Sequence, residues 1–208
     1  MPAAMSDLFS ASTTLEQISI IDGELAFAHQ FYSSEVAKEL YASLLAETPW
    51  RQDLITVWGK TYLQPRLTAW YGDVASSYNY SGIALAPQPW TATLLKIKTE
   101  IEALTMQRYN SVLLNLYRDQ QDSVGWHSDN EIELGHKPAI ASVSLGESRI
   151  FKLRHKSRPE QKTRNIELSS GSVLLMAGSL QQHWEHAVLK ETRLHHPRIN
   201  LTFRKIQK

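Results

Sequence analysis

The sequence predicts a mainly β protein with flanking helices, an α+β chain whose carboxy-terminal half closes as a barrel or a two-sheet jelly roll. Three observations point there. Two amphipathic helical stretches fall before residue 109, six short β-rich stretches follow, and no helix pattern alternates with those strands. The last of these argues against a parallel α/β fold. At 208 residues, with 42% apolar and 21% charged side chains, the chain has the composition of one integrated globular domain.

The opening MPAAMSDLFSASTTLEQ has no basic segment followed by an apolar run, so no secretory signal is expected, and residues 1–20 are expected to form a flexible tail. In SSEVAKELYASLLAET, Ser33 or Ser34 can cap a helix. Val36, Leu40 and Leu44, with Ala37, Tyr41 and Leu45, recur at helical spacing, and Pro49 ends the run. Residues 54–81 hold strand-like pieces around TVWGKTY and PRLTAWYGD. A second helix is expected from Pro89, with Trp90, Leu94, Ile97, Ile101 and Leu104 as its buried stripe. Residues 21–108 thus carry helices and hairpins, and 109–208 the β core. Its strands are expected at 111–117, 139–145, 148–154, 172–177, 183–189 and 198–204. No apolar run approaches the roughly 20 residues that a membrane helix needs.

There is no cysteine, which excludes disulfides, thiolate zinc sites and a cysteine nucleophile. Any metal must be held by His, Asp and Glu, and eight histidines are present. Net charge is +1, but residues 1–48 carry seven acids against Lys38 alone, leaving about +7 on the remainder. Residues 149–165, RIFKLRHKSRPEQKTRN, hold seven Lys/Arg and one Glu. That segment is either a solvated basic loop or a surface for phosphates.

Side chains two apart in a strand share a face. In VGWHSDNE, His127 and Asp129 can therefore project together, with Glu131 near by. In RINLTFR, Arg198, Asn200, Thr202 and Arg204 fall on one face and Ile199, Leu201 and Phe203 on the other. That polar face is either an interior that binds an acid or the outer face of an edge strand. In SVLLNLY, Asn115 and Tyr117 share a face and can donate to a carboxylate; alternatively Asn115 is a buried amide satisfied by backbone. QQHWEHAVLK offers His183 and His186 as a third metal ligand. Two histidines and one carboxylate with open positions form the ligand set of non-haem iron(II) oxygenases.

Taken together, NLY (115–117), HSD (127–129), ASVSLG (141–146), HWEHAV (183–188) and PRINLTFR (197–204) resemble the AlkB family of iron(II)- and 2-oxoglutarate-dependent dioxygenases. Upstream, VWGKTYLQPRLTAWYGD, YNYSG and PQPW are similar to its eukaryotic-type DNA-repair branch, so the resemblance covers roughly residues 50–206. It implies a double-stranded β-helix (jelly-roll) core, with Fe(2+) bound by His127, Asp129 and His186, and with 2-oxoglutarate and O2 as cosubstrates. His183 is then a structural neighbour. Arg198, Asn115 and Tyr117 would hold the distal carboxylate of 2-oxoglutarate, and Arg204 and Asn200, with Thr202 on the same face, would lie near its metal-chelating end. His136, His155, His195 and His196 match no ligand and are expected at the surface.

The resemblance further implies a flipped N-methylated base, 1-methyladenine or 3-methylcytosine, held in double-stranded DNA. Tyr80 and the ring of His127 would sandwich it, with Glu131 at its polar edge. Trp58, on a hairpin tip with Val57 and Gly59, would wedge into the base stack, and Arg66 would assist near the lesion or its opposite strand. The expected protein is an intracellular monomer with no membrane partner, cytoplasmic in a bacterium or nuclear in a eukaryote. The alternatives are the same chemistry on RNA or protein, and a non-catalytic cupin-like metal- or nucleic-acid-binding protein.

Overall fold

The computed structural model describes residues 14–57, 59–74, 78–80, 83–85 and 87–207, with the side chains of 57, 78–80 and 83–85 outside the description. The chain runs β1 (Glu16–Gln17), β2 (Glu24–Ala28), α1 (Ser34–Glu47), β3 (Leu54–Val57), β4 (Lys60–Leu63), β5 (Leu67–Gly72), β6 (Tyr78–Tyr80), β7 (Ile83–Leu85) and α2 (Ala92–Thr105). It continues through β8 (Ser111–Tyr117), β9 (Val124–His127), β10 (Ile140–Gly146), β11 (Arg149–His155), β12 (Arg164–Leu168), β13 (Val173–Ala177), α3 (Leu180–His183), β14 (Trp184–Val188) and β15 (Arg198–Arg204). Seven strands make one antiparallel sheet in the order β1-β2-β13-β10-β15-β8-β5, and four make a second in the order β12-β11-β14-β9. Two separate hairpins, β3-β4 and β6-β7, complete the architecture.

Both helices start where a hydroxyl can take an orphan backbone N–H. Ser33 Oγ accepts from Val36 N and Thr91 Oγ1 from Leu94 N. The second helix therefore begins after Thr91, near Pro89 as its spacing indicated. The first ends at Thr48, extended at ψ 126°, as the residue before a proline must be. Leu40, Leu44, Ile97 and Ile101 are buried, whereas Leu45, assigned to the buried face from spacing, is exposed.

The helices cover one face of the large sheet. Val112, Leu114 and Leu116 of β8, Ala141, Val143 and Leu145 of β10, and Ile199, Leu201 and Phe203 of β15 pack in a single core with them. A period of two then sends the alternate residues of the same strands toward the small sheet. There Leu25, Phe27, Ile140, Leu174 and Met176 meet Phe151, Leu153, Leu168, Trp184 and Val188 in a second core. This two-sheet sandwich is the jelly roll, and the polar face of β15 is internal, not an edge.

Besides β9, three strands were not legible as such. β2 sits inside the polar amino-terminal stretch, yet Leu25 and Phe27 point into the second core. β1 pairs Glu16 with Phe27 and Gln17 with Ala26, within the segment expected to be a flexible tail. β12 occupies the end of the basic segment 149–165, pairing Arg164 with Leu153.

That segment is also not uniformly surface. Arg149 is fully buried, its guanidinium donating to the carbonyls of Asp119, Asp122 and Leu189 and pairing with Glu191. The expectation that His155 and His195 lie at the surface is likewise corrected. Both rings are buried, His155 hydrogen-bonded to Asp22 and His195 set between Glu147 and Glu191, because each imidazole links its own segment to one distant in sequence.

Candidate active site

β9 and β14 are neighbours in the small sheet, and their register places His127 directly opposite His186, with ring centroids 4.2 Å apart. The chain leaves β9 after His127 and turns inward. Asp129 is consequently buried, and its Oδ1 lies 3.8 Å from His127 Nε2. The ligand atoms of His127, Asp129 and His186 all fall within 4.8 Å of one another. Two hydrogen bonds clamp this turn to the segment that carries His186. Ser128 Oγ donates to the Trp184 carbonyl at 2.8 Å, and Asp129 N donates to Oε1 of the buried Gln181 at 3.0 Å.

The proton states suit a cation. His127 Nδ1 lies 2.8 Å from the Gly125 carbonyl, which can only accept, so Nδ1 carries the proton and Nε2 presents a lone pair. Burial pushes His186 down to about 3, with the neighbouring His127 acting in the same direction, so its ring is neutral. Burial would raise the Asp129 carboxyl, but Arg204 with the two histidines outweighs it and holds it at about 2. Arg204 Nη2 donates to Asp129 Oδ2 at 2.9 Å, while Oδ1 faces His127.

Asp22, His155 and His183 are equally close together but differ in tautomer. His155 Nδ1 accepts from the backbone N–H groups of Ser157 and Arg158. Its proton therefore sits on Nε2 and goes to Asp22 Oδ2 at 3.2 Å. The lone pair a metal would need is already used. That trio is a latch between β11 and the turn before β2.

Beside the first trio, the inner face of the large sheet is polar. Arg198 pairs in register with Tyr117, and Asn200 with Asn115. Arg198 is 1% exposed. Its Nη2 donates to Ser144 Oγ at 3.0 Å, while Nε and Nη1, also buried, have no hydrogen-bond partner among the described residues. Burial lowers this guanidinium to about 10, Tyr117 opposing and Arg149 adding to the shift. Among the described residues no carboxylate pairs with it, an arrangement that costs several kcal/mol unless an anion arrives. A guanidinium fork with two donors to spare suits a carboxylate.

A model of the 2OG-Fe(II) oxygenase superfamily matches residues 24–204. The alpha-ketoglutarate-dependent dioxygenase alkB homolog 3 of Bos taurus is 43% identical over 184 residues, 85% of this chain. The DNA oxidative demethylase ALKBH2 of Bos taurus is 37% identical over 194 residues, 90% of this chain and 67% of its own length. The chain belongs to the AlkB family. It spans 64% of the length of the first of these relatives. The solved structure of OsALKBH1 shares the AlkB fold, with a TM-score of 0.61 at 17% identity over 87% of this chain and 97% of that one.

Within this AlkB fold the remaining expected residues separate. Arg204 reaches the His127–Asp129–His186 trio through Asp129. Asn200 does not offer free donors there, because its Nδ2 bonds Ser142 Oγ and the Val143 carbonyl and its Oδ1 accepts from Thr202. Asn200 thus ties β15 to β10, and Thr202 braces it from within β15. Glu131 keeps one buried oxygen without a partner, and burial, with Asp129 adding to it, raises its carboxyl above the usual range. Gly59 adopts φ +74°, the left-handed conformation that a tight hairpin tip requires. Arg66 is directed at Asn115 and the Ser123 carbonyl. Trp58 and the side chains of Val57 and Tyr80 lie outside the described residues. Sequence reasoning missed Gln181, Ser128 and Ser144. Each acts through one hydrogen bond to a partner distant in sequence, which no periodicity marks.

Proposed function

We propose that this chain is an iron(II)- and 2-oxoglutarate-dependent dioxygenase that oxidatively demethylates 1-methyladenine and 3-methylcytosine in DNA, releasing formaldehyde and succinate. The observation that carries the reading is one juxtaposition. A half-exposed His127 with the buried Asp129 and His186, in ligand-ready proton states, shares the site with the buried Arg198, which has no carboxylate partner among the described residues. The donor set is the two-histidine, one-carboxylate set of non-haem iron(II), and Arg198 supplies the anchor a dicarboxylate needs. Iron(II) with 2-oxoglutarate and O2 supplies the oxidising power that converts an N-methyl group to formaldehyde while the cosubstrate becomes succinate and carbon dioxide.

The chain's own residues bind and orient. His127 Nε2, Asp129 Oδ1 and His186 hold the metal. Arg204 keeps Asp129 ionised and turned to it, and Phe151, stacked on His186 at 5.1 Å, walls that side with apolar surface. Arg198 and Tyr117 receive the distal carboxylate. Glu131, with its unpartnered oxygen, meets the polar edge of a flipped base, and Tyr80 and His127 sandwich it. The names of the relatives support nucleic acid as substrate, one of them being called a DNA oxidative demethylase. Double-stranded DNA with one flipped base, and a monomeric enzyme, complete the reading. Among the described residues no helix is long and apolar enough to cross a membrane. An intracellular site, nuclear in a eukaryote, follows from DNA as substrate.

The test is coupled release of succinate and formaldehyde by iron-loaded protein given 2-oxoglutarate and a duplex carrying one 1-methyladenine, with Asp129→Ala as control. Release of both, absent in the control, is expected. Succinate without formaldehyde would move the substrate to RNA or protein. Neither product from iron-bound protein would leave a metal-holding binding module.

A further inference from the structure

Arg66 stands on the segment between the β3-β4 hairpin and β5, where sequence reasoning assigned it to nucleic acid. Its guanidinium instead points inward. Nε donates to Asn115 Oδ1 at 2.8 Å, and Nη1 donates to the Ser123 carbonyl at 3.1 Å. Ser123 N in turn donates to the Pro65 carbonyl at 2.8 Å, so backbone closes around the arginine from both sides. Asn115 is 6% exposed and sits in β8 two residues before Tyr117, the register partner of Arg198.

A carboxamide presents an acceptor on one side and donors on the other. Arginine has no acceptor, so only the amide oxygen can face it. With Oδ1 on Arg66, the Nδ2 donors of Asn115 must turn the opposite way. A flipped Asn115 would aim lone pairs at any carboxylate held by Arg198 and Tyr117, and would repel it.

We propose that Arg66 is a positioning residue for the dicarboxylate cosubstrate: it sets the orientation of the Asn115 amide, so that a donor rather than an acceptor meets the anion. This rests on the reading of Arg198 and Tyr117 as the carboxylate site. It also makes the segment after the hairpin part of the cosubstrate site, not of the nucleic-acid surface. The fork matters, since one lysine nitrogen can bond Asn115 but cannot reproduce the planar pair of bonds to Asn115 and Ser123.

The experiment compares Arg66→Lys, Arg66→Met, Asn115→Ala and the Arg66→Met/Asn115→Ala double variant. KM for 2-oxoglutarate and kcat are read from succinate release at saturating methylated oligonucleotide. Oligonucleotide affinity is measured by fluorescence anisotropy on iron-free protein. Arg66→Met is expected to raise KM for 2-oxoglutarate about tenfold, the effect of removing one charge-assisted hydrogen bond. The change in kcat is expected to be far smaller, oligonucleotide affinity to be retained, and Arg66→Lys to recover part of the loss. The double variant should be no worse than Asn115→Ala alone, since both act through one amide. Additive effects of the two substitutions, or a loss confined to oligonucleotide affinity, would overturn the proposal. Should Arg66→Met not fold, Arg66→Lys carries the same test. Arg198→Ala separates the two readings. If it leaves KM for 2-oxoglutarate at the wild-type value, the carboxylate site itself is wrong and the role of Arg66 falls with it. If it raises KM and neither Arg66 variant does, only the role of Arg66 is wrong.

Discussion

Arg198 shows what a single residue concedes to function. Its guanidinium is buried with Nε and Nη1 unpartnered among the described residues, so under the proposed function the folded protein without cosubstrate carries a charge that no described carboxylate offsets. Replacing it by an apolar chain of similar length removes that penalty. Arg198→Met is therefore expected to stabilise the metal-free protein by about 1–3 kcal/mol while abolishing stabilisation by added 2-oxoglutarate. Thermal melts of both proteins with and without 2-oxoglutarate and a redox-inert divalent ion check it. A second residue-scale expectation concerns pH. The folded-state value of His186 is about 3 against 6.5, set by burial and then by His127. The unfolded chain thus binds more protons across that window, and stability of the metal-free protein rises with pH from about 3 to about 6.5. Asp129, at about 2 against 3.8 because Arg204 and the histidines outweigh burial, adds a further loss of stability as pH falls from about 4 to about 2. Denaturation midpoints that stay flat between about pH 7 and about pH 4 would contradict the His186 assignment. The latch trio gives a third expectation. His183→Ala should leave metal stoichiometry unchanged, and His186→Ala should abolish binding, as read by elemental analysis after dialysis against iron or cobalt.

At the scale of elements, the helices are legible from spacing and their ends from chemistry. α2 closes on Met106, at φ 54° and 85% exposed, in the left-handed region that costs a side-chain-bearing residue roughly 1–2 kcal/mol. Met106→Gly relieves that strain without removing a packed side chain. It is expected to stabilise the fold by about 1 kcal/mol, checked by urea unfolding with no change in the slope. The strands divide otherwise. β8, β10 and β15 alternate cleanly and are legible from 111, 139 and 198 onward. β9 and β12 are not, because VGWH is short and glycine-containing and RNIEL lies among charges, so neither has enough apolar residues to show a period.

The whole molecule redistributes charge that looks continuous in sequence. Of the basic run 149–165, Arg149 is buried as a pin for two loops, whereas Arg154, Arg158, Lys162 and Arg164 are exposed. Only the exposed ones are available to phosphates. Lys162→Ala/Arg164→Ala is expected to weaken oligonucleotide binding uniformly across sequences. It should also reduce the slope of log affinity against log salt by about 0.9 for each phosphate no longer neutralised. Anisotropy titrations over a salt series measure it, and an unchanged slope would place the nucleic acid elsewhere.

Sequence by itself determined the two helices, the alternation of the main strands and the residue types of the candidate metal and carboxylate sites, because period and side-chain chemistry are local properties. It also paired His127 with Asp129 through their spacing of two, although Asp129 reaches His127 from the turn after β9 and not from a shared strand face. Which histidine joins them, and that Asn200 is spent on β10 while Arg204 holds Asp129, were decided only when β9 met β14 and β15 met β10. So was the contrast between two His/Asp trios, one with a lone pair facing its neighbours and one with it consumed by Ser157 and Arg158. Those outcomes depend on pairing register and on hydrogen bonds between residues far apart in the chain, and long-range pairing leaves no period in the sequence to read.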